Sequence, residues 1–151
     1  LVILLPLVCG LLIGCLYLWR RLEARLPKNQ GERQIQVRDC GALDQATLFT
    51  TSPHIFTGSD LDRYRAVEEK VQLFRYGCDC YAYALLAAGH VDLVVENSLQ
   101  PYDVGALIPL IEQAGGIITT WDRGRPENGG NIIAAGSRTV YEEALALLQA
   151  R

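Results

Sequence analysis

Residues 77–122 read GCDCYAYALLAAGHVDLVVENSLQPYDVGALIPLIEQAGGIITTWD, and the punctuation of this stretch decides the fold. Asp79 to Ala88 is dominated by strong helix formers and closes at Gly89, the residue type that best takes the left-handed position after a helix. Val91 to Glu96 (VDLVVE) is a compact apolar run and reads as a strand. Pro101 then sets up a helix over 102–114, closed by Gly115-Gly116, and Ile117 to Trp121 is a second strand. Helix, strand, helix, strand at these lengths indicates an α/β layered sheet.

The same alternation extends in both directions. Upstream, Ala46 to Thr51 (ATLFTT) is a strand that breaks at Ser52-Pro53. Ser59 to Val71 carries Leu61, Tyr64, Val67 and Val71 at helical spacing, with Ser59 or Asp60 as its cap. Gln72 to Tyr76 is a short strand. Downstream, Asn131 to Ala135 is a strand and a final helix covers about 137–149.

Element lengths then locate a site. A ten-residue helix from Asp79 is about 15 Å long at 1.5 Å per residue. The strand after it spans roughly 17–20 Å. One runs out and the other runs back, so Glu96 returns to the edge where Gly77 to Asp79 began. The next helix starts a few residues later and brings Asp103 to the same edge. Two helix N-termini and one strand C-terminus are thus expected to converge around three carboxylates, at the edge where open α/β sheets take ligands. Helix N-termini favour phosphate through unpaired N–H groups and the helix dipole.

Bulk properties exclude some functions. The chain has 151 residues, half of them hydrophobic and 21% charged, with a net charge of −3. This length is enough for one domain with a real core. An acidic balance offers no phosphate-neutralising surface, so nucleic acid is not an expected partner. Five cysteines form no regular framework, which suits a reduced, cytoplasmic setting.

Residues 1–30 read differently from the rest. LVILLPLVCGLLIGCLYLW (1–19) has no charge and is followed by Arg20-Arg21. About twenty apolar residues suffice to span a bilayer as a helix, and the arginine pair would keep the remainder of the chain on the cytoplasmic side. A membrane anchor, a buried apolar hairpin and a mistranslated region all remain open, since the chain has no methionine and starts with leucine. The stretch 20–38 is polar, carries Pro27, Asn29 and Gly31, and reads as a linker or turn. The expected division is an apolar segment and linker over 1–30, then an α/β domain over 31–151.

Gly77-Cys78-Asp79, Gly89-His90-Val91-Asp92, Glu96, Tyr102-Asp103, Ala114-Gly115-Gly116 and Trp121-Asp122 together resemble the C-terminal signature of the inositol monophosphatase superfamily. That pattern has a Gly-Thr-Ala type run at a helix start, a Gly-x-x-Asp turn, and a glutamate seven residues before a Trp/Tyr-Asp pair. A long helix ending in Ala-Gly-Gly comes next. The run Asp-Cys-Tyr-Ala-Tyr and the upstream ATLFTTSPHIF are most similar to histidinol-phosphate phosphatases of this superfamily. The resemblance covers about 31–151 and implies the C-terminal half of an αβαβα fold.

It implies a chemistry as well: Mg²⁺-dependent hydrolysis of a small phosphate monoester, histidinol phosphate first and inositol phosphate as the alternative. Asp103 is then the metal ligand, since hard divalent cations take carboxylate oxygens and magnesium keeps only one or two per site. Gly77, Cys78, Asp79, Glu96 and Asp103 fall at the positions that contact substrate. Asp79 and Glu96 would face the ammonium and imidazole of histidinol phosphate. Each has a plainer alternative: Asp103 could simply complement a helix dipole, and Asp79 could be a solvated residue at a helix start. Cys78-x-Cys80 lacks a second pair at zinc spacing and reads as buried apolar packing. His54 and His90 read as surface or structural residues, and Asp122 as a turn former.

The superfamily's Asp-Pro-Ile-Asp-Gly-Thr segment, which carries most of its metal ligands, has no counterpart in these 151 residues. The chain alone is therefore expected to show little or no phosphatase activity, with no catalytic residue of its own beyond the metal ligand. A non-catalytic module, tethered to a membrane through residues 1–19, is the competing reading. A homodimer stays open.

Overall fold

The computed structural model describes residues 25–28 and 31–150, with side chains from residue 34 onward. The apolar stretch 1–19, and with it the anchor reading, lies outside the described residues. Among the described residues no helix is long and apolar enough to cross a membrane.

A five-stranded mixed sheet forms the centre. Its strands are β3 (Thr47–Thr50), β4 (Leu73–Tyr76), β5 (Leu93–Leu99), β6 (Ile117–Thr120) and β7 (Gly130–Ala135), in the order β4-β3-β5-β7-β6. β3 runs parallel to both β4 and β5, while β7 is antiparallel to β5 and β6. The helices are α1 (Gly58–Glu68), α2 (Cys80–Ala87), α3 (Pro101–Val104), α4 (Leu107–Gln113) and α5 (Arg138–Leu148).

Side-chain alternation along the strands divides the core in two. Leu93 and Val95 of β5 join Tyr64 and Val67 of α1 and Val140, Ala144 and Leu145 of α5 on one face. Val94, with Ile132 and Ala134 of β7, joins Tyr83 and Leu86 of α2 and Leu107 and Ile111 of α4 on the other. Helices therefore cover both faces, the layered α/β arrangement expected. By the same alternation, Glu96 stands on the α2/α4 face with Val94.

Several boundaries differ from the sequence reading. The expected single helix over 102–114 is two, interrupted at Gly105-Ala106. Pro109 has no N–H to donate to the Gly105 carbonyl, so the helical ladder cannot run through that point. α1 is capped by neither Ser59 nor Asp60: its N-cap is Thr57, without a side-chain bond, and the helix ends at Glu68. Asp60 instead accepts from the side chains of Asn97 (3.0 Å) and Asn131 (2.9 Å). The polar stretch read as a linker or turn contains an antiparallel hairpin, β1 (Arg25–Lys28) with β2 (Gly31–Gln34).

Three motif positions prove to be structural. Asp92 is fully buried, held by Arg38 through both carboxylate oxygens (2.6 and 2.5 Å) and by the Thr47 N–H (2.7 Å). Gly115 takes φ 88° to end α4. A Cβ on Gly116 would lie 2.8 Å from Ile111 Cγ2 and 3.1 Å from the Ala135 carbonyl, so close approach of backbone to sheet requires glycine there.

Candidate active site

β3 ends at Thr50 beside β5, and α2 starts after a turn through Gly77 and Cys78. Gly77 (φ 88°) and Asp79 (φ 44°) both lie in the left-handed region. For an aspartate this is an uncommon backbone state, of the sort that clusters at functional sites. It delivers Asp79 to the N-terminal end of α2, where it makes no side-chain cap. On β5 the ladder with β7 is regular up to Glu96 and shifts register before Leu99, with Ser98 at φ 59°. The irregularity ends regular pairing immediately after Glu96, a common arrangement beside binding sites.

These elements enclose an open cavity of about 540 Å³ lined by residues that include Asp79, Glu96 and Asp103. The three carboxylates expected at one rim are therefore together. Thr51, Cys80, Tyr83, Asn97 and Tyr102 complete its polar and aromatic lining. Gly77 and Cys78 are not part of it: Gly77 bonds back to the Thr50 and Thr51 carbonyls, and Cys78 packs against the α2/α4 core. Cys80 is exposed rather than buried, because α2 begins at the cavity mouth.

Glu96 is 2% exposed. Its Oε1 accepts from both the Thr51 N–H (2.8 Å) and the Thr51 hydroxyl (2.9 Å), while Oε2 is buried without a partner. Burial pushes its pKa up to about 7, against the two Thr51 bonds that favour the carboxylate, and nearby Asp79 raises it further. Tyr83, also 2% exposed, has an unpartnered hydroxyl. Burial holds that phenol well above its usual pKa, and the Glu96 charge adds to the effect.

Asp103 is exposed, and its Oδ2 accepts from the Gln100 N–H at 2.8 Å in a capping box. The helix-cap alternative is thus part of what this residue does. The helix it caps is one turn long and starts with Pro101, which has no N–H, so it offers little of the phosphate cradle expected of a second helix N-terminus. Among the described residues no group of three or more His, Cys, Asp or Glu side chains could hold a metal ion. One carboxylate with an oxygen outside the capping bond fits a single position of a magnesium shell, not a complete site.

Sequence reasoning does not single out Thr51 or Tyr83. Tyr83 is four residues after Asp79, so helical spacing alone places it on the Asp79 side of α2. Thr51 carries no such mark, since its role depends on the pairing of β3 with β5. His54, His90 and Asp122 do not line the cavity; Asp122 accepts from the Thr120 hydroxyl in the turn after β6.

A profile of the inositol monophosphatase family matches residues 13–151. The chain belongs to this family. It is 45% identical over 140 residues to the bifunctional phosphatase IMPL2, chloroplastic, of Arabidopsis thaliana, covering 87% of this chain and 40% of that protein. A histidinol-phosphatase of Chlorobaculum parvum is 34% identical over 61 residues, 39% of this chain and 23% of that protein. Among solved structures, an inositol monophosphatase from Zymomonas mobilis superposes with a TM-score of 0.75 at 40% identity, covering 78% of this chain and 47% of that one. The chain thus spans less than half the length of each of these family members.

Proposed function

We propose that this chain forms the substrate-facing part of a magnesium-dependent phosphatase whose preferred substrate is histidinol phosphate. The observation that carries the reading is the cavity in which Asp79, Glu96 and Asp103 meet, with no lysine, arginine or histidine among the described residues that line it. Such a lining suits an alcohol whose non-phosphate part is cationic. Inositol monophosphate is the second reading, supported by the likeness to the Zymomonas mobilis inositol monophosphatase.

In this reading Asp103 lies toward the phosphoryl group, and Asp79 and Glu96 take the alcohol moiety. Magnesium, when bound in part through Asp103, would neutralise phosphate charge and activate the attacking water. Asp79, at the start of α2, presents its carboxylate to the substrate ammonium. The Thr51 clamp on Oε1 fixes the orientation of Glu96, so its free Oε2 is preorganised and no rotamer has to be frozen on binding.

The test is phosphate release by this chain fused to the N-terminal half of the plant relative, with Mg²⁺, from histidinol phosphate and from inositol 1-phosphate. Asp79→Ala is expected to lower kcat/KM for histidinol phosphate about ten- to a hundredfold, the range for losing a charge-assisted hydrogen bond. Inositol 1-phosphate should fall much less. Equal losses on both substrates reject the role of Asp79, and wild-type preference for inositol 1-phosphate selects the second reading.

A further inference from the structure

Three buried side-chain atoms among the described residues have no hydrogen-bond partner: Thr50 Oγ1, Tyr83 Oη and Glu96 Oε2. Two of them belong to residues that line the same cavity, while Thr50 does not line it. Leaving a buried donor or acceptor unpaired costs about 1–3 kcal/mol. Two such groups on residues that line one cavity therefore point to a ligand that pairs them. They are not bonded to each other, although the phenol feels the Glu96 charge.

We propose that Tyr83 determines specificity at this site: its hydroxyl donates to, and Glu96 Oε2 accepts from, one amphiprotic group of the substrate's alcohol moiety. This rests on the phosphatase reading and goes beyond it by fixing the chemistry of the group recognised. An ammonium offers donors only, so it would satisfy Glu96 and leave the Tyr83 O–H without an acceptor. A hydroxyl group both donates and accepts. A neutral imidazole does the same through its two ring nitrogens. The slot is therefore built for an imidazole or an alcohol, and the ammonium of an amino alcohol goes elsewhere, toward Asp79. Because the phenol stays protonated far above neutral pH, its role as donor does not change over the working range.

The experiment compares Tyr83→Phe with wild type in this chain fused to the N-terminal half of the plant relative. The substrates are histidinol phosphate (imidazole), inositol 1-phosphate (hydroxyl) and ethyl phosphate (neither). The ratio of kcat/KM for the first or second substrate to that for ethyl phosphate should fall about tenfold, equivalent to ~1.4 kcal/mol. Which ratio falls tells which source the slot accepts. The variant's Tm should match or exceed wild type, because Phe removes an unpaired buried hydroxyl; a purely structural role would lower it. Unchanged ratios for both substrates, or equal loss on all three, overturn the proposal. Wild type that hydrolyses none of the three overturns the phosphatase reading instead. The slot is then decided by calorimetric binding of free histidinol and inositol, and wild type binding neither more tightly than Tyr83→Phe overturns it.

Discussion

Glu96 is where burial and hydrogen bonding oppose each other most directly. Thr51 donates twice to one oxygen, yet desolvation of the other keeps the pKa near 7. Linkage sets the sign of the pH effect. A carboxyl whose folded pKa lies above its unfolded value of 4.5 stabilises the fold while it is protonated, and the contribution fades as pH rises through 7. Lowering the pH from 8 to 5.5 should therefore stabilise the ligand-free protein by about 2 kcal/mol through this residue. Thermal melts across that range test it, with Glu96→Gln flattening the dependence. Equal slopes in wild type and variant would mean that water reaches Oε2 freely. A cationic or donor ligand in the cavity should reverse part of the effect, since it favours the carboxylate.

At the scale of elements, the central α/β alternation is legible because each unit carries its own periodicity and its own stop. Gly89 after α2 and Gly115-Gly116 after α4 mark two helix ends that the structure retains. The break between α3 and α4 is hidden because an apolar run reads as continuous, and the missing N–H of Pro109 acts one turn before its own position. The β1–β2 hairpin reads as a linker or turn because RLPK and GERQ show no apolar alternation. In the candidate site, the meeting of Asp79, Glu96 and Asp103 can be derived from element lengths alone. The Thr51 clamp cannot, since it joins residues 45 apart in the chain. Gly116 gives this scale its prediction. Gly116→Ala would push a methyl against Ile111, the Ala135 carbonyl and Val37, and those contacts hold the α4–β6 turn against the sheet. The expected loss is about 1–3 kcal/mol, as for other overpacked interiors, read as a shift in urea midpoint with unchanged slope. A midpoint within error of wild type would show that the turn can move away.

At the scale of the whole molecule, the question is how much of a phosphatase one acidic cavity can be. The chain covers 40% of the plant relative and 47% of the Zymomonas mobilis enzyme. Asp103, the proposed metal donor among its described residues, has one of its oxygens already committed to the Gln100 N–H. A divalent cation and a unit charge about 4 Å apart in water attract by only about 2 kcal/mol, so a lone exposed carboxylate cannot hold magnesium at millimolar concentration. Phosphate transfer also needs the electrostatic clamp that several carboxylates and their cations build together, and removing even one preorganised donor from such a site costs about 10²–10³ in rate. The 151-residue chain by itself should thus release phosphate from histidinol phosphate more than about a hundredfold more slowly than the same chain fused to the N-terminal half of the plant relative. The proposed alcohol-binding residues make the opposite prediction. Tyr83, Glu96 and Asp79 all lie in this chain, so calorimetry should detect histidinol binding to the chain alone, and Glu96→Gln should weaken it. Turnover by the isolated chain at a rate similar to the fusion would show that metal assembly needs no donors beyond its own. Absence of histidinol binding to both forms would move alcohol recognition out of this cavity.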